Sequence, residues 1–164
     1  IYKQDPAREV LVIPNEPATP GTDFRTSTIE GNSFFNTWSG GDGARKLVIA
    51  RKGAAVTARP VDGETYEADN TFGDGETIET GQFVVYNGTN RGFTLENLEA
   101  ASTYHFAVFE YNVTNNLPDY RTSTFLAGQG TTVSAPTGQT LSINADEIQS
   151  TSVTLSVARG NGAA

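Results

Sequence analysis

From Leu95 to Asn112 the chain reads LENLEAASTYHFAVFEYN, and within it Tyr104, Phe106 and Val108 alternate with Thr103, His105 and Ala107. Alternation at period two sends one face of an extended segment into an apolar interior and leaves the other face mixed. Just upstream, Leu98 is followed by the small residues Ala100, Ala101 and Ser102, which leave room for a tight corner. A tyrosine a few residues past such a corner buries its ring and turns its hydroxyl back onto a backbone group of the corner, a device of Greek-key sandwiches. The stretch predicts an all-β fold with Leu98, Tyr104, Phe106 and Val108 in the core.

The segments on either side fit that frame. A Pro-rich link over 15–23 leads to a first strand over 24–30 and a second over 32–39, which carries Phe34 and Trp38 at inward parity. Asn36 lies between them where an apolar residue belongs, so either a buried partner or a bulge is expected there. Gly40 to Gly43 form a turn, and the apolar run Leu47 to Ala50 reads as a central strand. Residues 54–81 are polar and turn-rich, with Tyr66, Phe72 and Ile78 expected to pin short hairpin pieces. Asn87-Gly88 is the strongest hairpin signal, joining strands on both sides. A loop over 112–119 and a last strand from Tyr120 to about Thr132 complete an all-β sandwich with an enlarged central loop region.

The same pattern begins again downstream. Residues 143–164 lie in ungapped register over 24–45 at a constant offset of 119, with Ile148 on Ile29, Ser152 on Ser33, Gly160 on Gly41, Gly162 on Gly43 and Ala163 on Ala44. Upstream, Pro136 falls on Pro17 at the same offset. Tyr2 to Pro14 echoes Tyr120 to Val133 through Tyr2-Lys3 against Tyr120-Arg121. The expected organisation is therefore a closing strand of a preceding repeat (1–14), one complete repeat (15–133), and the opening strands of a following one (134–164). A chain that begins at Ile1 and contains no Met reads as a processed piece or a window onto a longer polypeptide.

Composition narrows the partners. The net charge of −8 opposes binding to nucleic acid, whose phosphates would repel it. Cysteine is absent, so disulfides and thiolate metal sites are excluded, and one histidine is too few for an ordinary zinc site. No apolar run is long enough to span a bilayer, so no membrane insertion is expected.

Trp38, the corner from Leu98 to Tyr104 and the Pro-led entry to each copy resemble the fibronectin type III fold, an immunoglobulin-like β-sandwich. The blocks GDGARKLVIARKGAAV, TFGDGETIETGQFVVYNG and STYHFAVFEYN are similar to long fibronectin-type-III-like repeats found in tandem in large secreted surface proteins of Bacteroidota. The resemblance covers Pro17 to Thr132 and both flanks. It implies an extracellular or cell-surface array that spaces, displays or adheres, with neighbouring repeats as partners. Asn36 in an apolar position and Val157 in place of Trp38 depart from the pattern.

Candidate chemistry is sparse. GGDGARK lacks the Ser or Thr after its Lys, and the helix, that a phosphate loop needs. Asp69, Asp74 and Glu76, with Asp62 and Glu64, offer oxygens to calcium, though their spacing is not that of an EF-hand and acidic turns are commonly just solvated. His105 falls at outward parity with no nucleophile near it in sequence, and no cleft for paired carboxylates is indicated. No catalytic residue and no bound cofactor are therefore expected.

A ligand, if any, is expected at one end of the sandwich, where the turns bearing Asp42, Asn87, Asn115 and Asp119 should meet. Separately, Phe35, Phe109 and Tyr111 either stack on sugar rings or pack beneath the 54–81 segment. The expected function is a non-catalytic structural or adhesive repeat. The alternatives are a carbohydrate-binding or accessory domain of a secreted hydrolase, recognising glycans or another surface protein, and a filament subunit assembled by strand exchange between protomers.

Overall fold

The computed structural model describes residues 15–135, Gly138 and the backbone of 143–149 and 151–157. The expected closing strand over 1–14, and Pro136, Gly160, Gly162 and Ala163 of the downstream copy, lie outside the described residues. The described residues contain strands and no helix. In chain order these are β1 (Gly21–Ser27), β2 (Phe34–Gly40), β3 (Arg45–Lys52), β4 (Thr77–Glu79), β5 (Gln82–Gly88), β6 (Gly92–Leu95), β7 (Thr103–Thr114), β8 (Leu117–Tyr120), β9 (Leu126–Thr131), β10 (Ile143–Gln149) and β11 (Ser152–Val157).

Two antiparallel sheets make the sandwich. One runs β1-β2-β6; the other runs β4-β5-β3-β7-β8, with β9 also paired to β7. The long β7 is the anchor, since β3 pairs along one side of it and β9 and β8 divide the other. Phe34, Trp38, Val48, Ala50, Val85, Leu95, Leu98, Tyr104, Phe106 and Val108 fill the space between the sheets. The predicted corner forms: the Tyr104 ring is 1% exposed and its hydroxyl accepts the Glu99 backbone N–H at 2.9 Å. Tyr104→Phe should therefore cost about 0.5–1.5 kcal/mol, read as a lower urea midpoint with an unchanged m-value.

The 54–81 segment does not form the expected hairpin pieces. Only β4 is regular, and the rest is laid over the outer face of the second sheet. Val56 and Ala58 pack with Leu47, Ile49, Val84, Ala107, Phe109, Tyr111 and Tyr120 in a second core, against which Tyr66 and Ile78 lie. Gln82 secures the cover, its Oε1 accepting the Thr57 and Ala58 amides at 2.7 and 3.0 Å. Further on, Phe72 stacks edge-on against Phe83 and Tyr104 at the side of the sandwich. The aromatics pin the segment as expected, but to the sheet faces rather than to hairpins of its own. This explains why Leu47 to Ala50 is apolar on both faces: each face has a core to join.

Three further expectations are corrected. Asn87-Gly88 is not a hairpin, because β5 and β6 belong to different sheets and residues 89–91 carry the chain across. At Gly88 a Cβ would lie 2.5 Å from the Tyr86 hydroxyl, so a larger residue there would displace the tip of that ring. The 112–119 segment is a hairpin rather than a loop: β7 and β8 pair through Asn115-Asn116, both at positive φ (54° and 64°), as a two-residue turn matching strand twist demands. The last strand is consequently split into β8 and β9. Asn36, finally, has neither a partner nor a bulge. It is fully buried in regular β2–β6 pairing, and both its amide atoms are without hydrogen bonds among the described residues.

β10 and β11 form an antiparallel pair of their own. Asn144 lies opposite Ser156 and Ala145 opposite Leu155, as Arg25 lies opposite Thr37 and Thr26 opposite Asn36. Both pairs are related by the 119-residue offset.

Candidate functional site

The turns from Gly40 to Arg45, around residues 88–92 and at Asn115-Asn116 lie toward one end of the sandwich. Cross-links among their neighbours hold them: Ala44 N–H donates to Asn112 Oδ1 at 3.0 Å, and Arg91 donates to the Gly40 and Gly41 carbonyls at 2.9 and 3.1 Å. The entering link joins the same end, with Asn112 Nδ2 donating to the Asn15 carbonyl at 2.8 Å and Arg121 to the Pro17 carbonyl at 2.7 Å.

The four candidate residues have different fates. Asp42 accepts the Ala18 and Thr19 amides at 3.1 and 2.9 Å, which fastens the entering link; the Thr19 amide foremost holds its carboxyl below the ordinary value. Asn115 serves the turn through its backbone conformation. Asp119 is largely buried, and desolvation pushes its carboxyl above the ordinary range. Asn87 lines a pocket.

That pocket, of about 300 Å³, opens on the outer face of the second sheet at the edge of the 54–81 cover, and Arg45, Thr65, Asn87, Tyr111, Asn116 and Tyr120 are among its walls. β-pairing explains the grouping, because Arg45 lies opposite Tyr111, Tyr111 opposite Tyr120, and Val113 opposite Pro118, all on one face. A polar chain runs through it: Arg45 Nε donates to the Tyr111 hydroxyl at 2.8 Å, that hydroxyl donates to Asn87 Oδ1, and Asn87 Nδ2 donates to the Tyr66 carbonyl at 3.0 Å. Tyr120 donates to the Glu64 carbonyl at 2.9 Å, and burial foremost raises its phenol above the ordinary value.

A second charged group lies under the Gly40 to Gly43 turn. Glu110 and Lys46 face each other across β7 and β3 in the sandwich interior, with side chains 0% and 4% exposed. Their charged atoms are 3.8 Å apart; Gly43 N–H donates to Glu110 Oε2 at 3.1 Å, and Lys46 Nζ donates to the Gly43 carbonyl at 3.0 Å. Desolvation, its largest influence, raises the Glu110 carboxyl above the ordinary range despite Lys46. Sequence reasoning passed over this pair, yet the signal was there. Lys46 shares the parity of Val48 and Ala50, and Glu110 that of Phe106 and Val108.

The calcium group is not assembled. Asp69 Oδ1 accepts the Thr71 amide at 2.7 Å and Glu76 Oε2 the Glu67 amide at 3.0 Å. Among the described residues no three acidic or histidine side chains gather in a way that suits a metal ion. Of the aromatics, Phe109 is fully buried and Tyr111 3% exposed beneath the central cover, while Phe35 stays 37% exposed. Sugar stacking on the rings of Phe109 and Tyr111 is thereby removed. The structural residues Trp38, Leu98, Tyr104, Phe106 and Val108 are all core.

No family model and no curated protein matches the chain. Among solved structures it is similar to a computationally redesigned β-sandwich protein, with 17% identity over 71% of this chain and 92% of that one and a TM-score of 0.47. It is also similar to a fibronectin type III domain of human collagen XX, with 18% identity, 74% and 99% coverage and a TM-score of 0.41. The FN5 domain of Drosophila Lar shares 14% identity, with 75% and 100% coverage and a TM-score of 0.37.

Proposed function

We propose that this chain is a non-catalytic structural or adhesive unit of fibronectin type III kind, repeated along a larger extracellular or cell-surface polypeptide that it spaces or displays. Supporting the sandwich reading are the split into a three-stranded and a larger sheet and the hydrogen-bonded Tyr104 corner. The observation that carries the repeat reading is the sequence offset of 119 together with two residue pairs, Arg25–Thr37 with Asn144–Ser156 and Thr26–Asn36 with Ala145–Leu155, that keep that offset in β1–β2 and β10–β11. The agreement is local, since β1 is bulged between Thr22 and Arg25 and β10 between Ala145 and Glu147, and it supports reading the two hairpins as openings of two copies of one fold. Chain direction agrees with stringing: the link over 15–20 is fastened at the Asp42 end, while Val133, after β9, bonds Glu30 and Ala101 away from it.

The proposal is tested by sequencing the encoding gene beyond residue 164 and by small-angle scattering of a two-copy fragment expressed from it. A continued copy spaced by about 119 residues, with a maximal dimension near twice that of residues 15–135, is the expected result. A reading frame that continues into unrelated sequence would overturn it.

A further inference from the structure

We propose that the pocket beside Arg45 is a binding site for a single carboxylate-bearing sugar ring, such as a uronic acid presented by an acidic glycan. The inference goes beyond a spacing role and does not depend on how many copies the polypeptide carries. Three features of the pocket point to it.

The first is the guanidinium. In a chain of net charge −8, Arg45 forms no ion pair with any described carboxylate, and only its Nε is used, on the Tyr111 hydroxyl. Both Nη groups therefore remain for a ligand, and a planar fork of donors matches a carboxylate in two parallel hydrogen bonds. Asp62, a nearby acid, has an oxygen occupied by the Tyr120 amide at 2.8 Å.

The second is preorganisation. The sequence of bonds from Arg45 through Tyr111 and Asn87 to the Tyr66 backbone fixes the orientation of the guanidinium before anything binds, so little side-chain freedom remains to be lost. The third is the match of size and surface. A volume of about 300 Å³ lies at the lower bound of small-molecule sites, room for one ring and not an oligosaccharide. Thr65 and Asn116 supply hydroxyl and amide groups to ring hydroxyls, while Val113 and Pro118 give an apolar wall for the C–H face of a sugar.

Methyl glucuronide, methyl glucoside and an N-acetylated dipeptide with a free C-terminus are titrated separately into the isotope-labelled chain and followed by NMR. Saturable shifts at Arg45 and Asn116 with the glucuronide, and binding at least about tenfold weaker for the other two probes, are expected. Asn116→Gly keeps a residue suited to positive φ while deleting the amide, and should weaken glucuronide binding severalfold at an unchanged melting temperature; Arg45→Gln should abolish it. Equal binding of glucuronide and glucoside, equal binding of the dipeptide, or no saturable shift with any probe past the millimolar range would each overturn the assignment. None of those outcomes would touch the repeat register on which the spacing role rests.

Discussion

Lys46→Met is expected to lower the stability of the domain by about 3–5 kcal/mol at neutral pH, because it leaves the Glu110 carboxylate buried without its countercharge. Glu110 is inside the sandwich with one oxygen, Oε1, already lacking a hydrogen bond among the described residues, so the change has no solvent to fall back on. The double variant Lys46→Met with Glu110→Leu should recover most or all of the loss, since an apolar pair avoids the desolvation of both ions. Urea titrations of the wild type, both single variants and the double variant complete the cycle. A single Lys46→Met variant as stable as the wild type would show that the pair contributes nothing to holding the Gly40 to Gly43 turn.

The pH dependence carries a definite sign. The folded Glu110 carboxyl is raised by desolvation above its ordinary value, so the folded state holds its proton more tightly than the unfolded chain does. Its contribution to stability is fully present below the unfolded pKa, about 4.3 for Glu, and is lost as pH rises through the folded value. Without Lys46 the folded value moves higher still. The destabilisation in Lys46→Met should accordingly shrink on acidification toward the unfolded value, whereas the double variant should show none of this dependence.

Asn36→Leu is expected to raise stability by about 1–3 kcal/mol, the penalty range for buried polar groups that make no hydrogen bond. The change removes two such atoms from a position enclosed by Phe34, Trp38 and Phe93 on neighbouring strand positions, all core residues. The second hairpin holds Leu155 at the corresponding place, so the pattern of the chain itself offers the apolar residue. Chemical denaturation at fixed pH gives the answer. A fall in stability would overturn the expectation that the buried amide is a net cost to the fold.

Most of what places the core was written locally. Alternation through Tyr104, Phe106 and Val108 named the anchoring strand, the small residues after Leu98 named its corner, and the continuous apolar run from Leu47 to Ala50 announced a central strand. These are properties of a few consecutive residues, set by the period-two geometry of an extended chain. The offset of 119 was likewise visible without coordinates, since it asks only that two stretches be compared.

What the sequence could not decide are relations between distant segments. Asn87-Gly88 has the composition of a hairpin, but its flanking strands are claimed by β3 and β2 in different sheets, and tertiary pairing overrode local turn chemistry. The 54–81 segment carried no periodicity because its shape is imposed by the face it covers. The pocket exists only because β-pairing sets Arg45 beside Tyr111 where the edge of that cover, at Thr65 and Tyr66, meets the sheet. Period and propensity act over a few bonds and can be read along the chain; which faces meet, and what they leave open, depends on how two sheets and one long insertion divide the available surface.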